Sequence, residues 1–402
     1  MQRRNFIRLA GGGVVLAATG LSLSGCGMAA VPASAVAAWA GPAEGTDLRR
    51  AVLSYALLAP NPHNRQPWLA ELVGSDQILL RLDPQRLLPA TDPYGRQILM
   101  GAGAFLELLA MAAAQRGHPA QISLFPEGEP AQQLDGRPFA NVRLVADAAL
   151  LPDPLFAQVL NRRTDRRAYD PARAVDAAAA HTLADAALPA GMSNGLRFGL
   201  ASAAIADANG PAQAARVAAI RSLAREAWRI ELSTEATMME SMRLMRVGST
   251  EIDQHRDGIT IDSPMLVLLS KVGLLDRTRF PGADSSVVAN QIKDFDAITA
   301  STPAYLWLVT EGNARAQQVN AGRAYARVAL AGTSLGLAMH PNEQALQEYA
   351  EVAKPYQAMR QLLDAPAPGH TVQILARVGY LPAGSAAAPP APRAGLARQL
   401  RT

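Results

Sequence analysis

The chain has 402 residues, 49% of them hydrophobic, and a formal net charge of +4 from 38 Lys and Arg against 34 Asp and Glu. Arg3, Arg4 and Arg8 crowd into the first eight positions, so the remainder is close to neutral and offers no electrostatic case for binding nucleic acid. A single cysteine excludes an internal disulfide framework; stability has to come from a buried core, and the length suffices for one or two domains.

The opening stretch, MQRRNFIRLAGGGVVLAATGLSLSGC, sets Arg3 and Arg4 before Phe6 and Ile7, then runs apolar from Leu9 to Leu23 without an acid. That run is shorter than the roughly 20 residues that span a bilayer, so residues 1–26 read as a signal peptide. The paired arginines resemble a twin-arginine export signal, and Leu23-Ser24-Gly25-Cys26 resembles a lipobox, in which Cys26 is lipidated and becomes the new N-terminus. These patterns imply the twin-arginine export machinery as a partner and a membrane-anchored lipoprotein at the periplasmic face. Residues 27–45, small and punctuated by Pro and Gly, suit a tether.

Residues 46–59 have Thr46 or Asp47 as a cap and apolar residues at helical spacing. A stiff loop, Leu57 to Trp68 (LLAPNPHNRQPW), follows: Pro60, Pro62 and Pro67 hold the backbone extended and stop the helix, while its amides either brace a corner of the fold or grip a flat polar ligand. WLAELV and QILLRLD form a hairpin about Gly74-Ser75. Residues 95–117 form a long helix ended by Gly117, with small residues at 101–104 that permit close packing. Two strands, PAQISLFP and FANVRLVAD, close a first unit over 46–150.

A second unit, 151–402, echoes that order: a helix running into the arginine-rich NRRTDRRAYDP, a helix over 172–187 and a strand over 195–201. A helical insertion of about 211–290 carries Met238, Met242 and Met245 on one face. Packing in a core is the favoured reading of that stripe over a ligand lid. PAYLWLVTE is a strand, and the long helix after it ends at Gly336. A loop with a short helix and a last strand, HTVQILARVGYLP, complete an α+β chain. The tail 383–392 either wraps back or hangs free.

The chemistry is selective. Six histidines without paired spacing exclude an obvious metal site, and no Gly-x-Gly-x-x-Gly follows the first strand. Arg162, Arg163, Arg166 and Arg167 surround Thr164 at what reads as the head of a helix. Planar guanidinium forks and a helix N-terminus suit a phosphate, and a solvated turn neutralised by Asp165 and Asp170 fits the spacing equally. Arginines, an amide-rich loop and helices with small residues are together the set that a flavin mononucleotide needs.

APNPHNRQPW and RRTDRRAYDP resemble two segments of nitroreductase-fold flavoproteins. Their order, with Arg256-Asp257-Gly258-Ile259 and the closing ARVGYLP, is similar to the Acg-type branch, in which two nitroreductase-like units are fused. The resemblance spans roughly residues 46–400. It implies a nitroreductase-like α+β fold of two pseudo-dimeric units with a lid-like insertion, FMN as cofactor, and one composite site between the units. Arg162, Arg163, Thr164 and Arg166 would then hold the phosphate and ribityl chain. Asn61, His63, Asn64 and Gln66 would line the ring and ribityl, Met339, His340 and Pro341 would lie along the isoalloxazine, and Arg393 stands where a basic phosphate contact is often found. Asn61 and Pro62 replace serines common in that loop. No side-chain acid or base is implied, because flavin N5 relays the hydride from a small-molecule electron donor to a nitroaromatic or quinone-like acceptor. Two other functions compete with this: a flavin-sequestering lipoprotein with little turnover, and a scaffold that has lost its flavin.

Overall fold

The computed structural model describes residues 31–147, 149–188, 195–203 and 210–401. The export pattern and Cys26 lie outside them. The described chain opens with a short helix, α1 (Ala33–Val36), and a 3-10 turn over Ala37–Ala40, which bury Ala35 and Trp39 against the body. Helix α2 (Leu48–Ala56) begins where the Asp47 carboxylate accepts from the Arg49 and Arg50 N–H groups at 3.1 and 3.2 Å.

Strands β1 (Trp68–Val73) and β2 (Gln77–Leu82) pair antiparallel, Trp68 opposite Leu82. Helix α3 (Arg96–Ala114) is almost wholly buried, as its largely apolar composition requires. Strands β3 (Ala120–Leu124) and β4 (Pro138–Leu144) extend the first sheet. Helix α4 (Ala177–Ala187) starts five residues later than its composition suggests, because Asp176 caps it. Strand β5 (Leu196–Ser202) follows.

The insertion is built from α5 (Gly210–Ser233), α6 (Glu235–Arg243), β6 (Met245–Val247), α7 (Gly248–His255), β7 (Ile259–Ile261), α8 (Pro264–Lys271) and α9 (Ser286–Ala300). Met238, Met242 and Met245 pack there with Met239, Val247, Ile261, Leu266 and Val267, so the methionine stripe is a core of its own. Beyond it lie β8 (Ala304–Glu311), α10 (Arg315–Ser334), β9 (Ala338–Pro341), α11 (Ala353–Leu362), β10 (His370–Gly379), α12 (Leu396–Gln399) and β11 (Leu400–Arg401).

The main strands form two sheets. One runs in the order β11-β1-β2-β4-β3, with β11 parallel to β1; the other runs β5-β8-β10-β9 and is antiparallel throughout. Helices α3 and α10 cross at the centre, backbone against backbone. A Cβ on Gly103 would lie 1.9 Å from the Val319 carbonyl oxygen, and one on Gly322 would lie 1.9 Å from that of Met100. Glycine is therefore required on both sides of the crossing. Glu107 on α3 is buried and receives Arg323 and Arg327 of α10, each at 2.9 Å. The C-terminal tail wraps back: the Ala391 carbonyl accepts from the Trp39 indole, and Arg393 N–H donates to the Ala35 carbonyl, both at 2.8 Å.

Candidate functional site

The loop after α2 is folded more tightly than three prolines suggest. Asn61 is extended, as a residue before proline should be, but Pro62–Asn64 is a 3-10 turn. His63, Asn64 and Gln66 take φ of 48°, 53° and 48°. Three non-glycine residues in the left-handed region within four positions store strain that the surroundings must hold. Hydrogen bonds do so: Asn61 Oδ1 accepts from the Gln66 N–H at 2.7 Å, and Gln66 Nε2 donates to the Arg256 carbonyl at 2.8 Å. Gln66 Oε1 accepts from the Ala394 N–H at 2.9 Å, and Asn64 Nδ2 donates to the Pro392 carbonyl at 2.9 Å. The amides of Asn64 and Gln66 thus brace the loop.

The arginine-rich turn lies beside it. Arg162 Nη2 donates to the Leu58 carbonyl at 3.1 Å, and the Asp165 N–H donates to the Met339 carbonyl at 3.0 Å, joining turn, loop and β9. The turn is not the head of a helix, since α4 begins only at Ala177 behind its own Asp176 cap. Nor is it broadly neutralised: Asp165 pairs with Arg167 at 2.6 Å, while Asp170 accepts from the Ala172 N–H. Thr164, Pro341 and His340 are half-buried, and Met339 is buried with its sulfur against Gly332.

Arg166 is the centre of the arrangement. It keeps solvent access, yet the protein enclosing it lowers its pKa by desolvation, with Asp165 opposing. Its charge reaches histidines from both predicted segments. His63 is lowered to about 4 by burial, then by Arg166 and Arg65; His340 is lowered well below its ordinary value by burial, Arg166 and Arg377. Both imidazoles are therefore neutral at pH 7. Arginine has no acceptor, so the 3.3 Å contact with Arg377 makes His340 Nδ1 the acceptor and leaves the ring proton on Nε2. His63 Nε2 meets Ser241 Oγ of α6 at 3.1 Å.

Arg162, Arg163 and Arg393 form a second group around Trp39, a residue with no role suggested by its tether-like surroundings. Desolvation, with the neighbouring guanidiniums, lowers Arg162 to about 10 against an opposing Tyr325, and Arg393 to about 9. Arg393 donates through Nε to Leu57, through Nη1 to Asn64 Oδ1 and Pro392, and through Nη2 to Leu58 and Ala59. All five of its N–H groups thus have protein acceptors and none is left for a ligand. Arg162 Nε, by contrast, is buried without a partner.

The insertion sits directly on the loop. Besides the Ser241 and Arg256 contacts, the Gly258 N–H donates to the Asn64 carbonyl at 3.2 Å. Asp257, 4% exposed at its side chain, meets Arg86 and Arg246 at 2.9 Å, Arg398 at 3.7 Å and Arg65 at 3.9 Å. Ser241 and Asp257 escape a reading of local motifs, because their partners lie far away in the chain; the Arg-Asp-Gly-Ile segment was visible only as part of the family pattern.

The nitroreductase family pattern matches residues 159–380, more than half of the chain, and the chain belongs to that family. A Mycobacterium tuberculosis protein named as an NAD(P)H nitroreductase is 27% identical over 364 residues, covering 87% of this chain and 90% of its own. The M. tuberculosis protein Acg, also named as an NAD(P)H nitroreductase, is 36% identical over 129 residues, 30% of this chain and 35% of that one. The solved FMN-dependent nitroreductase NfnB of Mycobacterium smegmatis, in complex with NADPH, is 18% identical, with a TM-score of 0.37 over 60% of this chain and 94% of that one.

Proposed function

We propose that this chain is an exported FMN-dependent oxidoreductase of nitroreductase type, with one composite site where the loop at 60–68, the turn at 162–167 and β9 converge. The observation that carries the reading is a set of arginines, buried Arg162, half-buried Arg163 and exposed Arg166, none ion-paired among the described residues, beside two neutral histidines. A phosphate dianion fits that set, and among flavins FMN carries one. When bound, FMN supplies hydride transfer between a reduced nicotinamide and an acceptor of nitroaromatic or quinone type. Arg162, Arg163 and Thr164 would hold the phosphate and ribityl chain. Arg166 adds a fixed positive charge to the site, to which His63, His340 and Pro341 contribute uncharged groups. Asn61, Asn64, Gln66 and Arg393 hold the loop in its strained shape. The names of the M. tuberculosis relatives support a nicotinamide donor.

An absorbance spectrum of the purified protein, with the released ligand identified by mass, tests the cofactor. About one FMN per chain is expected; a colourless protein that refuses added FMN overturns it. Export and lipidation of Cys26 belong to the same proposal and rest on residues 1–26. Mass spectrometry of membrane-extracted protein should find a lipid-modified Cys26 at the new N-terminus, and a free Cys26 thiol would refute it.

The seating of the insertion on the loop favours a second reading, a flavin-holding lipoprotein with little turnover. Steady oxidation of NADPH or NADH with a nitroaromatic or quinone acceptor would exclude it.

A further inference from the structure

Trp39 stands in a run of Ala, Gly and Pro whose composition gives no reason for a large aromatic side chain. It is nevertheless 8% exposed, and its indole N–H is fixed to the Ala391 carbonyl at 2.8 Å. The guanidinium carbons of Arg163, Arg393 and Arg162 lie 4.2, 5.5 and 5.9 Å from its ring centroid. Three like charges around one indole repel each other, and the acid nearest in sequence, Asp165, is spent on Arg167. The ring's negative face offsets part of that repulsion, because an indole quadrupole attracts a guanidinium set over it. Stacking also leaves the guanidinium edge, with its N–H donors, pointing out of the stack to meet oxygen atoms.

The three arginines are not equivalent. Arg393 has spent every donor on protein acceptors and acts as a brace. Arg163 gives Nη1 to the Leu160 and Arg162 carbonyls at 2.8 and 2.9 Å, and Arg162 retains a buried Nε without a partner. The donors available to an anion therefore belong to Arg162 and Arg163, the two residues the phosphate reading uses.

We propose that Trp39 is a positioning residue of the phosphate subsite, its ring holding the Arg162 and Arg163 guanidiniums in the arrangement that receives the cofactor's phosphate. The segment before α2 then takes part in choosing a phosphorylated flavin over an unphosphorylated one. This rests on the flavin reading above.

The test titrates the full chain, stripped of ligand, with FMN and with riboflavin, which has the same ring and ribityl chain but no phosphate. Trp39→Leu keeps apolar volume and removes the ring; Trp39→Phe keeps a ring with a weaker quadrupole. Trp39→Leu should lose about tenfold in FMN affinity while riboflavin affinity stays as in the wild type. Trp39→Phe should lose about threefold for FMN and nothing for riboflavin. Equal losses for both flavins would mean that Trp39 only supports the fold, and no loss for FMN would mean that it does not position the arginines; either overturns the proposal. If Trp39→Leu does not fold, the Trp39→Phe pair of titrations decides by the same criteria. A wild-type chain that takes up neither flavin removes the flavin reading and this proposal with it, whereas normal FMN binding by the wild type and both variants removes Trp39 alone.

Discussion

Two arginine knots hold this molecule together, and they are built on opposite principles. Around Asp257, arginines from the strained loop, the segment after β2, the insertion and the C-terminal helix converge on one buried carboxylate. Around Trp39, three arginines converge on an aromatic ring and a set of backbone carbonyls with no carboxylate among them. The first knot is complete as it stands: its carboxylate is the internal counter-ion, and surplus donors go to carbonyls such as those of Gln85, Arg86 and Arg243. The second keeps an excess of enclosed positive charge that an external anion would satisfy. A high density of arginine is thus no evidence of a binding site; the location of the counter-ion is.

The largest effect that would break this contrast is at the first knot. Asp257→Ala leaves Arg65, Arg86 and Arg246 facing one another in a poorly hydrated place, where removing one member of a buried pair costs about 3 kcal/mol. Urea denaturation should show a lower midpoint with an unchanged slope. The insertion should also become more open to proteolysis, since Asp257 ties Arg246 to Arg65. A variant as stable as the wild type would mean that the knot is surface ornament.

At the second knot the corresponding change should act differently. Arg163→Ala relieves like-charge repulsion and forfeits one cation–π contact, so ligand-free stability should move by less than about 1 kcal/mol. FMN affinity should fall roughly 10- to 100-fold, the worth of a charged hydrogen bond to phosphate. A large loss of stability with unchanged FMN binding would put this knot in the same class as the first.

How much of this could be read beforehand follows from the range of the interactions. Helix α2, the β1–β2 hairpin, α3 and β10 were legible because cap, turn and periodicity are local: Asp47 caps where it stands, and Gly74 turns where it stands. The small residues near 101–104 signalled close packing, although not that Gly103 would meet Val319. The convergence of loop, arginine turn and β9 came from the family pattern and not from spacing. The sequence left the amides either to brace the fold or to grip a ligand and could not choose between them, because whether Gln66 faces a ligand or the Arg256 carbonyl depends on an insertion 190 positions away. Trp39 was hidden for the same reason: the run around it has the composition of a linker, and its partners come from the distant arginine turn and the returning C-terminal tail. A lone tryptophan in such a run was the one available sign.

The smallest predicted effect concerns pH and separates the pocket histidines from the acids behind them. His63 is lowered to about 4 from an ordinary 6.5, so between those values the unfolded chain binds more protons than the folded one. Its contribution is present above pH 6.5 and is lost as the pH falls toward 4, and His340 acts in the same direction. Glu343 and Glu231, each raised to about 7 by burial, act oppositely: their contribution is present below the ordinary carboxyl range and is lost as the pH rises through about 7. The two sets partly cancel between pH 5 and 7, so the wild-type stability should be nearly flat there. His63→Gln removes part of one side of the balance and leaves His340. Relative to the wild type, the variant should gain about 1 kcal/mol on going from pH 7 to pH 5, and Glu343→Gln should lose by a similar amount over the same step. Denaturation midpoints at the two pH values decide it. Parallel shifts in wild type and His63→Gln would mean that the imidazole is hydrated and that Arg166 does not enclose it, which would remove the electrostatic link between the loop and the arginine turn.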